Sequence, residues 1–152
     1  MKTVYLRRED VNRRWIELDA SGQVLGKVAV KAANLLMGKE RPTFTPGVDT
    51  GDFVIVTNAK AVKVTGKKET DKVYFQHTQY VGSWVKEPVS SMRKRKPENI
   101  VMLAVKRMLP KNTMGDHMLK RLKVYGGADH PHVAQKPEKQ AVPQKKSGVV
   151  KK

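Results

Sequence analysis

Four consecutive apolar residues, Phe53, Val54, Ile55 and Val56, stand between Gly51-Asp52 and Thr57-Asn58. A strand with one wet face alternates apolar and polar residues, so an unbroken run this short points to a strand buried on both faces. Three of the four are β-branched, which favours strand over helix. The run predicts the central strand of a sheet covered by helices. Beyond it, Asn58-Ala59-Lys60 leads to a second short β-like piece (Val62, Val64, Thr65) closed by Gly66. The chain then turns basic through Lys63, Lys67, Lys68 and Lys72.

Composition sets the limits around that strand. A length of 152 residues fits one domain, and 39% hydrophobic content allows only a modest core. Lysine and arginine number 31 against 14 acids, a formal net charge of +17. Such a charge repels itself on compaction unless a polyanion neutralises it. Nucleic acid is the first candidate and an anionic membrane surface the second. The absence of cysteine excludes disulfides and thiolate metal sites. Met1 to Arg14 carries no apolar core of a secretory signal, and no run reaches membrane-spanning length, so a soluble protein is expected.

In chain order, Arg7, Arg8, Arg13 and Arg14 form a basic arm, either solvated or in contact with nucleic acid. Trp15 to Leu18 reads as a strand ended by the turn Asp19-Ala20-Ser21-Gly22. Leu25, Val28, Ala29, Ala32, Leu35 and Leu36 recur at helical spacing, with Lys27, Lys31 and Asn34 opposite and Gly38 as the stop. Gly22 to Val28 resembles a phosphate loop but has three residues between its glycines instead of four. Val28 also occupies the place of the magnesium-binding hydroxyl, so that reading fails. Gly26 falls within the apolar rhythm, which predicts close helix–sheet packing.

After the punctuated loop 39–52, Val73, Tyr74 and Phe75 predict another strand, with Tyr74 and Phe75 read as core. His77, Tyr80 and Trp84 interleave with basic residues, a pattern suited to stacking on unpaired bases. Arg93-Lys94-Arg95-Lys96 is the densest charge run. Pro97 suits a first helical position, and the helix 98–109 carries the apolar rows Ile100/Ala104/Met108 and Val101/Val105/Leu109. A further helix capped by Thr113 has Met114, Met118 and Leu122 on its dry side and His117, Lys120 and Arg121 on its wet side. Lys123-Val124-Tyr125 predicts a last strand. The boundary falls at residue 133, with 134–152 a flexible basic tail.

Enzymatic readings find little support. His130 and His132 are the one close histidine pair and lack carboxylates beyond Asp129, so no metal site is assigned. Glu9/Asp10 and Glu69/Asp71 lie in basic surroundings unsuited to paired-carboxylate catalysis. No cofactor or small-molecule substrate is expected. A DNA-compacting protein shares the charge argument and stays as the rival.

Several ordered motifs together resemble a known family. They are Asp19-x-x-Gly22-x-x-Leu25-Gly26-Lys27, the stretch Thr45 to Ala59, and Met108-Leu109-Pro110-Lys111. Val64 to Lys68, Asp71 to Tyr74, Leu122 to Gly127 and His130 to Gln135 extend the match over roughly residues 1–140. The chain resembles large-subunit ribosomal protein thirteen in its bacterial form. The resemblance implies a single three-layer α/β domain with a mostly parallel sheet of about four strands. It further implies a non-enzymatic ribosomal component in the cytoplasm, binding large-subunit rRNA and neighbouring ribosomal proteins and aiding assembly. Gln79, Arg107 and Asp116 depart from it, standing where the family usually has glycine, glycine and arginine. The expected rRNA contacts are Lys27, Lys63, Lys67, Lys68, Lys72, Arg93, Lys94, Arg95, Lys96, Lys111, Lys120, Arg121 and Lys123, with His77, Tyr80, His130 and His132 as stacking or hydrogen-bonding partners.

Overall fold

The apolar run becomes β2 (Phe53–Thr57), and it lies between two parallel neighbours. In the computed structural model, which describes residues 6–143, β1 (Trp15–Asp19) pairs on one side with Ile16 opposite Val54 and Leu18 opposite Val56. A later strand, β5 (Leu122–Val124), pairs on the other side, again in parallel. Alternation sends Val54 and Val56 to one face and Ile55 to the other. All three are fully buried, so both faces of β2 are covered as the unbroken run implies.

The face bearing Ile16, Leu18, Val54 and Val56 packs with the long helices α1 (Leu25–Met37) and α4 (Pro97–Met108). Val28, Ala29, Ala32, Leu35 and Leu36 of α1 and Ile100, Val101 and Val105 of α4 are buried there. Gly38 ends α1 in the left-handed conformation at φ 76°, its N–H donating to the carbonyls of Asn34 and Leu35. Pro97 takes the first turn of α4, as expected. On the opposite face Trp15 stacks on Phe53 with ring centroids 4.4 Å apart, and His132 lies 5.1 Å from Trp15. The sheet is thus parallel, four-stranded and flanked by helices.

Between β2 and α4 the chain forms the short α2 (Lys68–Asp71), an antiparallel hairpin of β3 (Val73–His77) and β4 (Trp84–Pro88), and α3 (Val89–Arg95). The expected strand Val73–Phe75 exists, but it belongs to this separate hairpin. Only Tyr74 is core; Phe75 is 60% exposed because successive strand residues face opposite ways. The β-like piece after Asn58 is a 3₁₀ turn (Ala59–Ala61) followed by one bridge from Lys63 to Val24. Gly26 does not pack on the sheet: a Cβ there meets nothing within 4 Å. Gln79 in the hairpin turn adopts φ 71°, a conformation natural to glycine. Asn112, not Thr113, caps α5 (Thr113–Lys120), accepting from the Gly115 N–H at 2.9 Å.

The largest departure lies near the carboxyl end. Glu138–Gln140 forms β6, which pairs in parallel with β1, and Val142 is buried beyond it. The sheet order is therefore β5-β2-β1-β6, and its fourth strand comes from within the stretch read as tail. The remainder of that stretch, 144–152, lies outside the described residues, as do residues 1–5. Among the described residues no helix is long and apolar enough to cross a membrane.

Gly51, just before β2, shows how closely the end of α1 approaches the sheet. An added Cβ would sit 1.7 Å from the Leu36 carbonyl oxygen and 2.5 Å from its carbon, both backbone atoms. Gly51→Ala is expected to cost roughly 3 kcal/mol in urea-induced unfolding; a loss under half that would show that helix and loop separate freely.

Candidate nucleic-acid interface

The cations divide by residue type. Among the described residues six arginines, Arg13, Arg14, Arg41, Arg93, Arg95 and Arg121, are paired with acids. Asp52, 1% exposed, accepts from the Arg14 N–H at 2.9 Å and from Arg14 Nη2 at 3.2 Å, and it is also bonded by Arg41. Arg41 Nη2 donates in addition to the Asn12 carbonyl at 2.6 Å. Asp49 takes both Nη atoms of Arg121, at 2.5 and 2.6 Å, with Arg13 at 3.5 Å. Arg93 makes a two-point contact with Glu69 (2.8 and 3.0 Å) and reaches the carbonyls of Lys60 and Val62. Arg95 pairs with Glu87 at 2.6 Å.

Arg121 corrects the helical reading directly. It was placed on the wet side of α5, yet it is 7% exposed. Its backbone stays helical at the C-cap, and its place seven residues after Met114 and three after Met118 puts it on their dry face, not the wet one. Its Nη2 also donates to the Leu36 carbonyl at 3.1 Å. Arg13 and Arg14 of the basic arm are also tied to acids, Arg13 half-buried at Asp49 and Arg14 at the surface on Asp52. Arg93 binds α3 to the segments around Lys60 and Glu69, leaving Lys94 and Lys96 exposed beside it.

Most lysines do the opposite. Lys63, Lys67, Lys68, Lys94, Lys96, Lys111 and Lys120 are exposed, and none is paired with a carboxylate among the described residues. Lys27, Lys72 and Lys123 are half-buried. The bridge from Val24 to Lys63 brings the basic segment after β2 against the start of α1. Lys31 is held by Glu40 at 2.5 Å.

The hairpin adds a stacking surface. Register places Phe75 opposite Lys86 and His77 opposite Trp84 on one face. Lys86 Nζ lies 5.7 Å from the Phe75 centroid, and His77 meets Trp84 edge-on at 5.0 Å. Trp84 is 59% exposed and Tyr80, in the turn, 78%. Phe75 and Lys86 of this exposed face do not stand out in the sequence; a hairpin register with period two is the signal that places them beside His77 and Trp84.

His130 and His132 point inward. His132 Nε2 is 2.8 Å from the Tyr125 hydroxyl, and His130 Nε2 lies 3.8 Å from Glu17. Among the described residues no group of three or more His, Asp or Glu side chains could hold a metal ion.

The description of the family whose sequence profile matches residues 13–131 is ribosomal protein L13. Large ribosomal subunit protein uL13 of Thermotoga petrophila is 53% identical over 137 residues, spanning 90% of this chain and 92% of that protein. The uL13 protein of Dictyoglomus thermophilum is 52% identical over 138 residues, 91% of this chain and 97% of its own. That of Geobacter sp. is 50% identical with the same coverage.

Two stability tests follow from the division of charge. Arg121→Gln strands Asp49 and is expected to cost about 3 kcal/mol in denaturant unfolding, whereas the neighbouring Lys120→Gln changes stability by no more than about 0.5 kcal/mol. Equal effects would refute the division. Its hydrogen bonds to Arg93 hold the Glu69 carboxyl below its ordinary range. A carboxyl lowered in the folded state stabilises above its unfolded pKa and loses that contribution as pH falls through the lowered value. Glu69→Gln, partly solvent-screened, is therefore expected to cost less than about 1 kcal/mol at neutral pH. The difference from wild type should vanish on acidification; a constant offset down to that pH would contradict the pairing.

Proposed function

The chain belongs to the ribosomal protein L13 family, and from that premise we propose that it binds large-subunit rRNA and supports assembly of the subunit. Its α/β core positions free lysines against phosphates. The observation that carries this reading is the unpaired lysine set beside the aromatic hairpin. A merely soluble basic protein has no need to spend its acids on arginines and leave lysines unmatched. Lysine ammonium groups meet phosphates as mobile point charges, setting position and affinity more than sequence preference.

The contacts we assign are Lys63, Lys67, Lys68 and Lys72 after β2, Lys94 and Lys96 at the end of α3, and Lys111 and Lys120 at the two ends of α5. Lys27 and Lys123 stand at their margins. Phe75, His77, Tyr80 and Trp84 stack on unpaired bases, with shape and loop presentation supplying specificity. Arg93, Arg95, Arg121 and His132 act through the fold that holds these groups. Neighbouring ribosomal proteins complete the surroundings.

Purified protein titrated with large-subunit rRNA, small-subunit rRNA and duplex DNA across a salt series tests the proposal. The expected result is a preference for large-subunit rRNA that persists at moderate salt. Lys67→Gln/Lys68→Gln is expected to reduce the log–log salt slope by about 2. Equal binding to all three polymers, collapsing together as salt rises, would leave a generic polycation and contradict the reading.

A further inference from the structure

A cleft of about 760 Å³ opens between the start of α1, the segment around α2 and the last turn of α4. The bridge from Val24 to Lys63 closes one side of it by bringing the segment after β2 against the start of α1. Lys67, Lys68, Lys72 and Arg107 line it, against the single carboxylate of Asp71. None of these cations is ion-paired among the described residues, while Asp71 Oδ1 accepts from the Thr70 hydroxyl at 2.8 Å.

Two of the cations converge on one ring. Lys72 Nζ lies 5.4 Å and Arg107 Cζ 5.6 Å from the centroid of Tyr74. Burial lowers the pKa of the Lys72 ammonium, and the charges of Arg107 and Lys68 lower it further. Like charges gathered at partial burial are stabilised by an anion. Tyr74 itself is 5% exposed, lines the cleft and has a hydroxyl without a hydrogen-bond partner. Burial raises its pKa, so it remains a neutral donor at physiological pH.

The start of α1 supplies a second kind of donor. Its N-cap, Val24, provides no side-chain cap, and the Gly26 N–H has no acceptor among the described residues. Open space lies over Gly26. The neighbouring Leu25 and Lys27 N–H groups donate to the carbonyls of Lys63 and Val24, so this 13-residue helix offers an anion the Gly26 N–H and its positive dipole end. The rest of the wall is apolar, chiefly Val24, Val64 and Met108. An anionic group joined to a flat, weakly polar ring satisfies both halves.

We propose that this cleft is a nucleotide-binding site. The phosphate lies among Lys67, Lys68, Lys72 and Arg107, and the base lies on the Val24, Val64 and Met108 wall. It is not a phosphate loop: Lys27 does not line it, and its cations come from α2, its flanks and α4. The nucleotide is either free or one residue of a bound RNA; the second source rests on the rRNA-binding reading above.

The full chain titrated with AMP, inorganic phosphate and adenosine, followed by amide NMR shifts, tests the site. AMP is expected to shift Gly26, Lys68 and Tyr74 saturably and to bind at least tenfold more tightly than either fragment, roughly the gain from joining the two halves. Arg107→Gln and Lys68→Gln, whose spectra elsewhere report an intact fold, should each weaken AMP by about fivefold. If the source is RNA, Arg107→Gln also lowers large-subunit rRNA affinity and AMP competes with that RNA. If the source is free nucleotide, AMP binds while rRNA affinity is unmoved; either result supports the site. No saturable AMP shift, or phosphate matching AMP, overturns it, even where wild-type protein still prefers large-subunit rRNA. A wild type lacking that preference yet saturated by AMP would sink the rRNA reading and leave the cleft standing.

Discussion

The fold depends on an ionic knot at the amino-terminal edge of the sheet. Arg14 immediately precedes β1, Asp52 immediately precedes β2, and Arg121 immediately precedes β5. Asp52 binds Arg14 and Arg41, while Asp49 binds Arg121 and Arg13. Three strand entrances, remote in sequence, are thereby fixed side by side. Parallel strands cannot use a tight hairpin to set their register, so such long-range ties matter more here than in an antiparallel sheet. Desolvating these charges is costly, but two-point arginine–carboxylate geometry and extra bonds to the carbonyls of Leu36 and Asn12 offset that cost.

This knot also determines what remains available outside. A chain at +17 has few acids, and those in the knot are committed to arginines. Guanidinium suits that task because it is weakly hydrated and rigidly forked; ammonium suits the wet surface, where it keeps its hydration until a phosphate replaces it. Internal pairing and the unpaired outer charge thus fall largely to two residue types of the same charge. Arg107 departs from this pattern and points to the cleft, since it lies over Tyr74 without a carboxylate partner.

Signals carried by neighbouring residues were legible in the sequence. The burial of β2, the dry face of α1, the Gly38 stop and the Pro97 start all depend on local pattern, and the structure contains each. What escaped depends on distant partners. Glu138–Gln140 has no apolar signature because β6 is an edge strand held by backbone bonds to β1. Arg121 falls on the dry stripe of Met114 and Met118, yet the partner that lets a cation stay there, Asp49, is 72 positions away. Phe75 and Tyr74 look alike as a pair, and only the hairpin register separates the exposed ring from the buried one. The interface was legible as charge, while its arrangement required the fold.

The most direct test of the division between structural arginines and recognition lysines is lysine acetylation footprinting of the intact protein, with and without large-subunit rRNA, read by mass spectrometry. The account predicts protection at Lys63, Lys67, Lys68, Lys72, Lys94, Lys96, Lys111 and Lys120. Lys31, already held by Glu40, should react equally in both states. Protection spread evenly over all lysines, or confined to residues outside that set, would contradict it.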